Sequence, residues 1–195
     1  LSSTAPSGTT TSHASCGASA RTTQLAAATT GALRRDVRSR PSLRGGTSVG
    51  RGRLVLSDGG GRLEDVKIIF QQDPAYASTM HFGSRIVFDR SGNLFVTTGD
   101  RYSARNEAQN PANHLGKMIH ITPNGGVPAD NPKIAGWRPE IWSIGHRNVQ
   151  GAALHPETGK LWTAEHAARG GDEVNIPEKG KNYGWPVITY GRDYS

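Results

Sequence analysis

The sequence holds one cysteine, Cys16, in 195 residues. Neither an internal disulfide nor a cysteine-based zinc centre can form, and a body free of thiols suits either redox compartment. No apolar run reaches the roughly 18 residues of a membrane-spanning helix, so no membrane insertion is expected. No basic stretch leads into an apolar core near the start, so no secretory signal is visible. Residues 1–53 contain no Phe, Trp, Tyr or Lys, and all 13 aromatics lie from Phe70 onward. That first quarter carries eight Arg against one acid, Asp36, and 18 Ser or Thr. With so few large apolar side chains it cannot bury enough surface to offset chain entropy. It is expected to be a disordered tail, or a GC-rich coding region read out of frame, as an all-Arg, no-Lys bias suggests.

The formal charge of +7 therefore says little about partners. Residues 54–195 hold 15 basic and 15 acidic groups and are neutral. The arginines at 34, 35, 38, 40 and 44 could meet phosphates, but no aromatic residue is interleaved and no nucleic-acid-binding motif accompanies them. No nucleic-acid partner is expected.

From Leu54 the pattern changes. Short apolar runs at Leu54–Leu56, Val66–Phe70, Ile86–Phe88, Leu94–Thr98, Met118–Ile121 and Ile141–Ile144 read as strands. Asp89–Asn93 and Pro123–Gly126 are turn signals, and Ala152–Leu154 with Leu161–Ala164 form a further hairpin. No long amphipathic helix is evident. Glycine and proline recur at roughly the eight-to-twelve-residue spacing of an all-β fold. One echo stands out: Gly92-Asn93-Leu94-Phe95-Val96-Thr97 returns 67 residues later as Gly159-Lys160-Leu161-Trp162-Thr163-Ala164. A propeller blade of about 40–50 residues carrying an inserted loop at 99–117 would give that spacing, as would two unrelated hairpins.

Several polar groups could carry chemistry. His81 precedes a strand, where it can act as a general base or simply pack. Asp100 ends the strand Leu94–Thr98 and could orient such an imidazole, or serve only the turn. Arg147, Asn148 and Gln150 lie between Gly145 and Gly151; a guanidinium fork and two amides suit an anionic or polyoxygenated ligand, or a loop satisfying its own backbone. The stretch from Glu165-His166 to Gly170-Gly171-Asp172-Glu173 is acidic and glycine-rich, as hard cations prefer, with Asp193 a further oxygen donor. Asn182-Tyr183-Gly184-Trp185-Pro186 is an aromatic turn whose default role is packing.

Taken in order, His81-Phe82-Gly83-Ser84-Arg85, Thr98-Gly99-Asp100, Asn113–Lys117, Val127–Pro132, Arg138–Trp142, Gly145–Asn148, Gly170–Asn175 and Asn182–Pro186 resemble the soluble quinoprotein aldose sugar dehydrogenases, the glucose/sorbosone dehydrogenase family. The likeness runs from about Gly52 to Ser195. It implies a fragment of a six-bladed β-propeller, with two to three blades present over residues 54–195. It implies pyrroloquinoline quinone (PQQ) and Ca²⁺ as cofactors, an aldose oxidised at its C1 hydroxyl by hydride transfer to the quinone, an external electron acceptor, and a periplasmic or extracellular location. By motif position His81 matches the family's base and Asp100 its supporting carboxylate. Arg147, Asn148 and Gln150 match the loop that contacts the quinone. The backbone carbonyls of Ala167 and Ala168 fall where the family, usually with Gly-Pro, holds the active-site Ca²⁺. Glu173, Tyr183 and Asp193 would serve a second, structural Ca²⁺. The alternative is a non-catalytic propeller fragment that binds carbohydrate or protein.

Overall fold

A computed structural model describes residues 23–31, 44–57 and 60–194. Strands β1 (Thr23–Gly31), β2 (Arg44–Ser57) and β3 (Gly60–Gln71) form one antiparallel sheet, and β4 (Tyr76–Ala77) pairs with the start of β2. Strands β5 (Gly83–Phe88), β6 (Leu94–Thr98), β7 (Lys117–Ile121) and β8 (Ile141–Ile144) form a second sheet in simple sequential order. A third contains β9 (Val149–Leu154), β10 (Leu161–Glu165) and β11 (Glu173–Asn175). Every pairing is antiparallel. This is the succession of up-and-down sheets that makes propeller blades. Among the described residues there is no α-helix, and no helix long and apolar enough to cross a membrane.

The strands expected from sequence all form, and the echo falls on equivalent positions. Leu94–Thr98 and Leu161–Glu165 are each the second strand of their sheet. The polar segment between β6 and β7 is the long loop expected there, with one 3₁₀ turn at Arg105–Gln109. Fully buried Lys117 fastens that turn to the sheet. Its Nζ donates to the carbonyls of Glu107 at 2.7 Å and Ala108 at 3.1 Å, and also to that of Leu115. Burial pushes the Lys117 amine down to about 7, against the pull of Glu107.

Strands β6 and β7 are buried on both faces, and alternation sends their side chains into two cores. Leu94, Val96, Ile119 and Ile121 join Val49 and Phe70 of the first sheet in one core. Phe95 and Met118 turn the other way and pack with Leu161 of the third sheet in another. Thr97, also buried, ties the sheets together: its Oγ1 accepts from Arg85 N at 2.9 Å and donates to Val149 O at 3.0 Å.

The first quarter, expected as a tail, is described in part. Residues 23–31 and 44–53 are strand, and Thr47, Ser48 and Val49 are buried. The ordering comes from hydrogen bonds rather than apolar bulk. Thr47 exchanges backbone and side-chain bonds with Gln72, and Thr47 Oγ1 donates to Phe82 O at 2.7 Å. The expectation for residues 1–22 and 32–43, Cys16 included, lies outside the described residues.

Two buried histidine–carboxylate pairs bear on acid stability. His114 Nδ1 accepts Asp73 N–H at 2.9 Å, so Nε2 donates to Glu140 at 2.6 Å. That hydrogen bond, opposed by burial, holds Glu140 below its ordinary value. Burial raises Asp89, but bonds from His120 and from the Asn93 and Ser91 amides outweigh it and lower it. A carboxylate lowered in the fold contributes stability above the unfolded value of about 4 and loses it as pH falls through the folded one. Thermal melts below about pH 4 should therefore fall less steeply in Glu140→Gln than in wild type. Parallel curves would show that this pair does not couple to folding.

Candidate active site

His81 and Asp100 meet where β5 begins and β6 ends. His81 Nδ1 lies 2.7 Å from Asp100 Oδ1, with Asp100 completely buried. The carboxylate oxygen must accept, so Nδ1 carries the proton. His81 Nε2 has no hydrogen-bond partner among the described residues, and its lone pair is available. Asp100 is held at both oxygens: Tyr102 N donates to Oδ1 at 2.8 Å and Trp185 Nε1 to Oδ2 at 2.7 Å. Its own amide donates to Arg147 O at 2.8 Å, linking the second and third sheets. Backbone contact makes the pairing possible, because Gly99 N donates to Phe82 O at 3.2 Å. A Cβ at Gly99 would lie 1.9 Å from His81 O, so only glycine fits.

A cleft of about 320 Å³ opens beside the pair, lined by Asp100, Tyr102, Arg105, Arg147, Trp185 and Tyr194, among others. His81 packs edge-on against Tyr102, with ring centres 5.3 Å apart. The Arg147 guanidinium lies 5.2 Å from the Trp185 ring centre and 5.9 Å from that of Tyr194. One of its N–H groups donates to His166 O at 2.8 Å, and its backbone amide donates to Glu165. Glu165 in turn meets His146 Nδ1 at 3.1 Å, and His146 Nε2 meets Ser143 Oγ at 2.8 Å. This buried chain fixes Arg147 from behind.

The cleft thus gathers Asp100, Arg147, Ala168 and Asp193, and His81 joins it through Asp100 and Tyr102. Asn148 lies behind it, its Oδ1 accepting from Gly83 N at 3.2 Å. Gln150 faces a second cleft of about 410 Å³, with Arg85, Glu165, His166, Asp172 and Glu173. The three side chains expected to share a structural Ca²⁺ are not brought together. Glu173 lines the second cleft and Asp193 the first, where it accepts from Arg105 at 3.0 Å. Tyr183 Oη is spent on the backbone, donating to Ile176 O and accepting from Glu178 N, both at 2.8 Å. Among the described residues no cluster of three His, Cys, Asp or Glu side chains could hold a metal ion. Ala167 N donates to Asp172 at 3.2 Å.

Trp185, which its sequence context marks as packing, joins this group. It touches both the His81–Asp100 pair and Arg147, yet it is 85 residues from Asp100. Its aromatic turn was the signal available, and it reads equally as packing.

Comparison with known proteins gives the family. The glucose/sorbosone dehydrogenase family model matches residues 37–195. The aldose sugar dehydrogenase YliI of Escherichia coli K12 is 48% identical over 152 residues, covering 77% of this chain and 40% of the relative. A solved glucose dehydrogenase superposes with a TM-score of 0.76 at 45% identity, covering 88% of this chain and 47% of that one. The PQQ-bound aldose sugar dehydrogenase of Streptomyces coelicolor superposes with a TM-score of 0.63 at 29% identity, covering 73% and 41%. This chain therefore spans less than half the length of these relatives. The likeness to propeller enzymes extends through all three sheets, and the chain belongs to the glucose/sorbosone dehydrogenase family.

Proposed function

We propose that the chain forms part of a quinoprotein that oxidises the C1 hydroxyl of aldose sugars by hydride transfer to PQQ, with Ca²⁺ at the quinone. The observation that carries this reading is the His81–Asp100 pair, which leaves one imidazole nitrogen without a partner among the described residues and whose carboxylate lines a cleft walled by an arginine and aromatic rings. The wall fits the cofactor. PQQ is planar and carries three carboxylates; Arg147 offers a fixed guanidinium, and Trp185 and Tyr194 offer flat apolar faces beside it. The cleft volume lies within the range of small-molecule sites. Ca²⁺ takes oxygen donors, and the carbonyls of Ala167 and Ala168, with Ala168 on the cleft wall, would hold it.

When bound, PQQ supplies the two-electron acceptor and Ca²⁺ the Lewis acid that polarises it. The chain's own residues handle the proton. His81 Nε2 takes it from the sugar hydroxyl, and the resulting imidazolium is stabilised through Nδ1–H by Asp100. Trp185 and Tyr102 keep the carboxylate in place during that change. An external electron acceptor and a periplasmic or extracellular setting complete the reading. The test is to add PQQ and Ca²⁺ to the protein and follow dye reduction with aldoses. Aldose-dependent reduction that disappears on chelation is expected. Cofactor and sugar retention without reduction would assign a non-catalytic binding module instead.

A further inference from the structure

Arg101 follows Asp100 directly and is completely buried. Nothing in the proposed chemistry uses it. Its guanidinium lies 3.5 Å above the centre of the Phe82 ring, and Nη2 donates to the carbonyl of Ser78. Nε and Nη1 meet no acceptor among the described residues. Burial pushes its guanidinium down to about 10, with neighbouring Asp100 opposing the shift. A buried guanidinium with two nitrogens that meet no acceptor is a costly feature in a fold, and such groups call for an explanation.

The segment it grips supplies one. His81 has φ of 52°, in the left-handed region that non-glycine residues seldom occupy. Such a conformation persists only where the surroundings over-determine it. On one side Phe82 O accepts from Thr47 Oγ1 at 2.7 Å, Ser84 Oγ at 3.2 Å and Gly99 N at 3.2 Å. Arg101 supplies the other side, bonding Ser78 before His81 and stacking on Phe82 after it. Arg101 and Tyr102 are themselves left-handed, at φ of 62° and 66°. The two segments thus lock face to face, with the His81–Asp100 bond between them.

We propose that Arg101 is a positioning residue for His81: by spanning Ser78 and Phe82 it holds the loop that brings the imidazole onto Asp100. This rests on the reading of His81 as the base, but its test needs no turnover. The probe is the His81 Nδ1–H signal in ¹H–¹⁵N spectra of the full 195-residue chain. In wild type that proton should be slowed in exchange by Asp100. In Arg101→Met the signal should vanish, while the Trp142 indole N–H, bonded to Pro177 O at 3.1 Å in the other core, stays unchanged. Retention of the His81 signal in a folded Arg101→Met protein would overturn the proposal. Should that variant give no native spectrum, Phe82→Leu, which removes only the ring, decides the matter: loss of the signal supports the clamp and retention overturns it. A protein that shows the wild-type signal but never oxidises aldoses would fail the functional reading and leave the clamp standing.

Discussion

His81→Ala, in enzyme reconstituted with PQQ and Ca²⁺, lowers kcat for aldose oxidation by about 10²–10⁴-fold, the range set by losing a positioned general base. PQQ affinity should change little, because Arg147 and its supports, Glu165 and His166, do not depend on the imidazole. Steady-state dye reduction gives the first quantity and spectral titration of PQQ the second. Asp100→Asn separates charge from geometry. An amide nitrogen placed at Oδ1 would face the N–H groups of both His81 and Tyr102; placed at Oδ2 it faces only that of Trp185. The second orientation costs less. His81 then keeps its tautomer and position but loses the negative charge that stabilises the imidazolium, so kcat drops with little change in PQQ affinity. Wild-type turnover in His81→Ala would remove His81 from the base role. Equal loss of PQQ affinity and turnover would make the pair structural.

The strands were legible wherever side chains bury on both faces. Leu94–Thr98 and Met118–Ile121 lie wholly in the interior, so apart from His120 their residues are apolar or β-branched. The first half of β2 was not legible, because Arg44–Arg53 places one large apolar residue, Val49, in the core and relies on Thr47 and Gln72 for the rest. Composition alone cannot see a strand built that way. Within the site, the match of His81 to Asp100 was legible because both stand at strand ends that a short hairpin brings together. The grouping of Arg147 with Gln150 was not, because Arg147 lies in the turn before β9 and Gln150 within the strand, and the two line different clefts. Val149 turns into the interior at the start of β9 and Gln150 turns out toward the second cleft. The joint made by Trp185 was hidden for another reason: no local pattern connects a turn near residue 185 to a carboxylate in the second sheet.

Gly99→Ala tests the backbone approach on which the pair depends, and its effect should be large. The added methyl would stand 1.9 Å from His81 O and 2.4 Å from His81 C. Both are main-chain atoms, so no side chain can swing aside to relieve the overlap. Gly99 is also fixed on both sides, its N–H on Phe82 O at 3.2 Å and its carbonyl accepting from Gly116 N at 3.1 Å. Relief requires the start of β5 to separate from the end of β6, which breaks the Phe82 bond and carries His81 away from Asp100. Overpacking against side chains costs about 1–3 kcal/mol, and a backbone clash belongs at or above the top of that range. A loss of about 3 kcal/mol lowers Tm by roughly 6–12 °C in a domain of this size. Gly92→Ala is the matched control. Gly92 has φ of 83° with nothing within 4 Å of the would-be Cβ, so it bears only the left-handed penalty of about 1–2 kcal/mol. Gly99→Ala should melt well below Gly92→Ala and should lose turnover under conditions where both are folded. If Gly99→Ala matched the control in Tm and kept wild-type kcat, β5 and β6 would not approach as closely as the His81–Asp100 bond requires.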